Sequence, residues 1–168
     1  MNSILIIVEG LTDKGFIEGI AEKLQVACKI HVMRGNRPEK VSRLLRTLAG
    51  EFNKAIILKD LHRAGVDTSI LINRLMSKVK QLESQEMQTR VFPVKRSIEA
   101  WILAGLSLNN PEEILNPEEE LKKLMQRRSK QCIKSLELYK RLAKEEVDIE
   151  KAAAKSKTFK EFIEFLTA

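Results

Sequence analysis

Three carboxylates stand where apolar runs stop. Glu9 follows Ile4-Leu5-Ile6-Ile7-Val8, Asp60 follows Ala55-Ile56-Ile57-Leu58 after one lysine, and Glu99 comes shortly after a run from Thr89 to Val94. A short apolar run bounded by turn residues reads as a strand buried on both faces. Acids at the carboxyl ends of such strands meet at the edge where open α/β sheets take their ligands. Carboxylates brought together repel one another unless a cation sits between them. Oxygen donors with no thiolate nearby select a hard ion, Mg²⁺, with Mn²⁺ as a close substitute. Such an ion can bind a phosphodiester, polarise it and activate water. Asp13 could add a further ligand, and the same position suits an acid that simply complements a helix dipole.

Elements that would position these groups are legible along the chain. The run Ile4–Val8 is a first strand, and Gly10 allows a sharp turn after it. Thr12 is a candidate N-cap for a helix to about Leu24, with Phe16, Ile17, Ile20, Ala21 and Leu24 as its buried face and Glu18 and Glu22 toward solvent. Cys28 to Met33 reads as a second strand. Asn36 with Glu39 fits a capping box for a helix carrying Val41, Leu44, Leu45 and Leu48, stopped near Gly50. Ala55 to Leu58 is a third strand. Asp67 and Thr68 offer a cap for the next helix, Thr89 to Val94 is a fourth strand, and Ser97 caps a short helix holding Glu99 and Trp101. Trp101 reads as a core anchor. Strands alternating with helices imply parallel βαβ units.

The composition changes after residue 105. Asn109-Asn110-Pro111 and Asn116-Pro117 mark helix starts, and a charged helical stretch follows. Thr158 with Glu161 forms a capping-box pattern ahead of Phe159, Phe162, Ile163 and Leu166. The expected organisation is an α/β domain over 1–105 and a helical C-terminal extension over 106–168 packed on it.

The 168 residues are 43% hydrophobic and 32% charged, enough for a real core, and their net charge of +7 makes a polyanion, nucleic acid first, the natural partner. No apolar run approaches a membrane span, so no membrane partner is expected. Cys28 and Cys132 are far apart and make no metal-ligand pair, which points to a reduced, cytoplasmic protein. Lys59, Arg63, Lys95 and Arg96 flank the acidic edge, where phosphate contacts would lie, and Arg34 and Arg37 flank a helix N-terminus. The basic run Lys122, Lys123, Arg127, Arg128, Lys130 and Lys134 is interleaved with Glu118, Glu119 and Glu120, as on a solvated helix face. No phosphate-binding glycine-rich loop ending in Gly-Lys-Ser/Thr is present.

The segment Val8-Glu9-Gly10-Leu11-Thr12-Asp13, followed by Asp60-Leu61-His62, resembles the Toprim domain, whose pattern is a glutamate after strand one and Asp-x-Asp after strand three. Ser97-Ile98-Glu99-Ala100-Trp101 is similar to a segment of the OLD-family nucleases and small stand-alone Toprim-like proteins. The resemblance implies a Toprim-like, Rossmann-like fold: a mainly parallel four-stranded sheet flanked by helices, with a helical C-terminal extension. It implies that Glu9, Asp60 and Glu99 are catalytic and hold Mg²⁺ or Mn²⁺, with Glu9 as general acid or base and Glu99 completing a second metal position. It implies metal-dependent phosphodiester hydrolysis of DNA or RNA. A lysine assists the attacking water in related nucleases, and Lys95, Lys130 and Lys134 are the candidates here. The family further implies a homodimer and a separate ATPase partner, since this chain carries no ATPase motif. His62 occupies the second Asp position. An imidazole binds metal but suits softer ions than Mg²⁺ and adds no negative charge. That departure shifts the preference toward Mn²⁺ and favours the main rival reading, a non-catalytic nucleic-acid-binding or scaffold protein with a degenerate Toprim site. A receiver-like phosphotransfer domain is a second rival, with Asp60 as the phosphorylated residue.

Overall fold

The structure is a computed structural model that describes the chain outside residues 1–2, 36, 49, 62–65, 83–86 and 129–133, with 66–69 and 71 described by backbone alone. Strand β1 (Ile4–Val8), helix α1 (Leu11–Leu24), β2 (Cys28–Val32), α2 (Pro38–Thr47), β3 (Lys54–Leu61), α3 (Val66–Gln81) and β4 (Gln88–Lys95) alternate along the chain. The helix between successive strands carries the chain back, so the strands pair in parallel. Every pairing is parallel, in the order β2-β1-β3-β4. The chain continues through α4 (Ile98–Gly105), a 3-10 turn at Pro111–Glu113, α5 (Pro117–Arg127), α6 (Leu136–Arg141) with a π-helical turn at Leu142–Glu146, α7 (Ile149–Lys155) and α8 (Lys157–Thr167). The fold is therefore α/β, a Rossmann-like all-parallel four-stranded sheet flanked by helices, with a helical C-terminal region. No described helix is long and apolar enough to cross a membrane.

The unbroken apolar runs exist because the two central strands are covered on both faces. Ile4, Ile6 and Val8 point into one apolar cluster with Phe16, Ile20, Ile56 and Leu58. Leu5 and Ile7 point into the other, with Val41, Leu45, Ile57, Leu75 and Val79 from α2 and α3. Burying each of these side chains contributes about 1.5–3 kcal/mol. Strand order reverses around β1, which makes the crevice between the carboxyl ends of β1 and β3 the switch point of the sheet.

The C-terminal helices belong to the first of these clusters. Leu121, Met125, Phe159, Phe162 and Leu166 are buried with Trp101 against the sheet. Trp101 stacks on Phe162 at 5.5 Å between centroids and meets Phe159 edge-on at 5.1 Å, so it is the core anchor its sequence context suggested. Lys54, at the other edge of the sheet, donates to the carbonyls of Phe165 (2.7 Å) and Ala168 (2.9 Å) and ties down the end of α8.

Several helix ends differ from the sequence reading. Gly10, not Thr12, is the N-cap of α1, and Thr12 sits in the first turn. Asp67 and Thr68 lie inside α3, which starts at Val66. Arg37 holds the N-cap position of α2, while Asn36 lies outside the described residues. The cap of α8 is Ser156, whose hydroxyl accepts from the Phe159 N–H at 3.2 Å. The competing Thr158–Glu161 pattern lost because α7 ends at Lys155 and leaves Ser156 as the only residue between the two helices. Asn116 does cap α5, accepting from the Glu119 N–H.

Helix α1 is held against α6 at very short range. Gly15 and Gly19 lie one turn apart on the same face, and a Cβ at either would overlap the backbone of Leu136 or Lys140. Lys140 also pairs with Glu22 (2.7 Å) and Glu18 (3.6 Å), so the face of α1 expected to meet solvent is clamped to the tail. Gly19→Ala should cost about 1–3 kcal/mol, because neither backbone can retreat without breaking its own helix. Chemical denaturation measures this; a variant as stable as the wild type contradicts the close approach.

Candidate functional site

The turn after β1 sets the site. Gly10 is extended at the N-cap, and Asp13 at the third helical position turns back toward it. Its carboxylate accepts from the Gly10 N–H, one half of a capping box. At the end of β3, Asp60 is half-buried on the same face as Ile56 and Leu58, the side covered by α1 and α4. Between β4 and α4 the chain turns at Arg96, whose φ of 65° is unusual for a residue with a side chain. That turn, with the Ser97 N–H on the Lys95 carbonyl at 2.9 Å, delivers Ser97 and Glu99.

These pieces enclose a cavity of about 420 Å³ lined by Glu9, Asp13, Asp60, Glu99, Arg96 and Lys134 among others. Three separate segments thus bring together the acids the sequence singled out, and Asp13 joins them. Burial, followed by the charges of Asp60, Glu99 and Glu9, pushes the Asp13 carboxyl up to about 7. The cavity carries more negative charge than its own cations neutralise.

Glu99 is only 4% exposed. Burial opposes its charge, but the Ser97 hydroxyl, Lys134, its backbone N–H and Tyr139 together hold its pKa below the usual value. Tyr139 donates its hydroxyl to Glu99 at 2.8 Å, and Lys134 Nζ lies 3.4 Å from Glu99 and 3.3 Å from Glu118. Burial likewise opposes the Lys134 charge, yet Glu99 and Glu118 raise its pKa overall. Ser97 occupies the N-cap of α4 without capping it through its side chain, because its hydroxyl serves Glu99 instead.

Glu9 stands apart from this group. Ile7 pairs with Ile57, so two residues on, Glu9 comes level with Lys59 on the α2–α3 side of the sheet. Lys59 Nζ is 2.5 Å from Glu9 Oε1 and donates to the Gly35 carbonyl at 2.8 Å. The sequence reading of Lys59 as a phosphate contact is corrected: its ammonium is internal, 7% exposed, and already matched. No group of three or more His, Cys, Asp and Glu among the described residues is poised to hold a metal ion as it stands.

The other predicted residues divide clearly. Arg96 lines the cavity, with Nε 3.5 Å from the Glu112 carbonyl. Lys95 points to Glu112 at 3.5 Å and is exposed. Of the three candidate lysines, Lys134 lines the cavity, Lys95 does not, and Lys130 is outside the described residues. His62 and Arg63 also lie outside them. Arg34 and Arg37 are exposed beside Gly35. Sequence reasoning missed Tyr139 and Glu118. A buried tyrosine forty residues from its acid leaves no local pattern, and Glu118 was read as part of a solvated face.

The raised Asp13 pKa has a definite sign. The native state keeps a proton that the unfolded chain, with a pKa near 3.8, releases. The stability tied to that proton is complete below about pH 4 and is lost as pH rises through about 7. Asp13→Asn should flatten this decline, read from denaturation midpoints between pH 4 and 8. A wild-type decline no steeper than that of the variant contradicts the crowding of charge.

Removing the phenol has an independent readout. Tyr139→Phe leaves one donor fewer on a buried carboxylate and should cost about 1–3 kcal/mol at neutral pH. The loss should shrink in acid as Glu99 takes up a proton; a pH-independent loss would mean that packing alone is affected.

No family model, no curated protein and no solved structure matches this chain.

Proposed function

We propose that the chain is a metal-dependent phosphodiesterase acting on nucleic acid, a Toprim-like nuclease. The observation that carries this reading is the surplus of carboxylates at the sheet's switch point, expressed in an Asp13 pKa of about 7. The donor set fits a hard cation: Asp13, Asp60 and Glu99 offer only oxygen, and their mutual repulsion is what such an ion relieves. These three residues would hold Mg²⁺ or Mn²⁺, with Glu9 at the rim. When bound, the ion would polarise the phosphodiester and lower the pKa of water.

The chain's own groups then have distinct tasks. Tyr139 and Ser97 keep Glu99 ionised and aimed at the cavity. Lys134 and Arg96 present positive charge at the mouth, where a phosphate would replace the carboxylate partners of Lys134. The proton that crowding keeps on Asp13 up to about pH 7 is the one a bound cation would displace. Lys59 holds the Glu9 carboxylate in place.

One observation favours the rival, a non-catalytic nucleic-acid-binding or scaffold protein: Glu9 already has an internal cation, and the described acids form no ready metal cluster. Cleavage of plasmid and single-stranded substrates separates the two. With Mg²⁺ or Mn²⁺ the wild type should nick or degrade them. Asp60→Asn should lose at least about 100-fold, since even outer partners of metal ligands are worth about 10–100-fold, and Glu9→Gln should lose activity as well. Absence of cleavage with either ion, at protein in excess, decides for the binding reading.

A further inference from the structure

We propose that the outer face of α2, continued by α3, is the track along which the nucleic-acid backbone lies, and that the helical tail is not. This rests on the reading of nucleic acid as the partner and names the surface that receives it. The net charge of +7 is unevenly placed. Residues 106–168 hold thirteen Lys/Arg against twelve acids and are nearly neutral. Arg37 with α2, taken together with α3, carry seven Lys/Arg against two acids, Glu39 and Asp67.

The pairing follows the same division. Seven of the twelve described tail cations form ion pairs, among them Lys123 with Glu120, Arg128 with Glu146, and Lys140 and Lys144 with Glu22, while Lys122, Arg127, Arg141 and Lys151 do not. On α2, Pro38, Val41, Ser42 and Leu45 are buried. Lys40 and Arg43 therefore point away from the sheet, with Arg37 and Arg46 on their flanks. All four are exposed, and among the described residues none forms an ion pair. Arg74 and Lys78 of α3 are exposed and unpaired on the same terms. Paired surface charges contribute little to the field at a distance, whereas unopposed charges of one sign build a potential that attracts polyanions.

Position links this face to the site. Helix α2 begins just after Gly35, whose carbonyl accepts from Lys59, the partner of Glu9. The row of cations thus starts at the carboxyl edge of the sheet and runs back for about 15 Å, enough to meet several successive phosphates. A strand held there would reach the carboxyl edge of the sheet beside Glu9, with its contacts to phosphate and not to bases.

The test is binding without turnover. The full chain, in chelator, is titrated with fluorescent single-stranded and duplex DNA and RNA over a range of salt, and with phosphatidylserine vesicles. Wild type is compared with Lys40→Ala/Arg43→Ala/Arg46→Ala and with a tail triple, Lys122→Ala/Lys123→Ala/Arg127→Ala, all checked for unchanged melting. The α2 triple should weaken binding by at least about tenfold at low salt and make the log–log salt slope shallower by about 2, while the tail triple keeps the wild-type slope. Equal loss in both triples, or loss only in the tail triple, overturns the track and leaves the partner standing. Wild type that binds no oligonucleotide, or binds only vesicles, overturns the partner as well as the track. The four oligonucleotides then show which polymer is preferred.

Discussion

Glu99 sits on α4, a helix whose eight residues are all buried, and is itself 4% exposed. An ionised carboxylate at that depth survives only if its oxygens are matched by donors and opposite charge. Ser97 comes from the preceding turn, but Tyr139 and Lys134 have to be brought from far along the chain. That requirement places α6 over the site, and α6 can reach there because α1 offers two glycines where any side chain would collide. Sheet, first helix and tail are therefore bound together by one buried charge and the groups that keep it charged.

The acidic centre consequently has two unlike halves. On the α1–α4 side, Asp13, Asp60 and Glu99 crowd one cavity, and the crowding is relieved by protonating Asp13 or by admitting a cation. On the α2–α3 side, Glu9 faces Lys59 and needs no further counter-charge. A lysine in that place does electrostatically what a metal ion would, but it offers no open coordination position to a substrate. Lys59 also links Glu9 to the loop that launches α2, through the Gly35 carbonyl.

How charge is spread matters as much as its total. Seven of the twelve described lysines and arginines of the tail have acids within reach, in the tail itself, on α4 or on α1, and the acids of the tail nearly balance its cations. The surplus resides on the other face, where α2 and α3 cover the sheet with an apolar stripe inward and bare cations outward. Net charge computed over a whole chain hides this asymmetry.

The strands, their parallel pairing and the edge at which the acids gather were all legible in the sequence, because a run such as Ile4–Val8 has one physical solution: burial on both faces in the middle of a parallel sheet. That topology brings Glu9, Asp60 and Glu99 to the lining of one cavity, with Glu9 turned toward Lys59. What the sequence left open turned on register and on long-range approach. Whether Glu9 faces Asp60 or Lys59 depends on Ile7 lying beside Ile57, and a shift of one residue would exchange the faces. The cap of α8 was decided by where α7 ended, the partner of Glu99 by a helix forty residues away, and the role of Gly15 and Gly19 by the backbone that crosses them. Hydrophobic pattern acts locally and writes itself into sequence; register, close approach and the matching of a buried charge are properties of pairs of segments, and only the tertiary structure settles them.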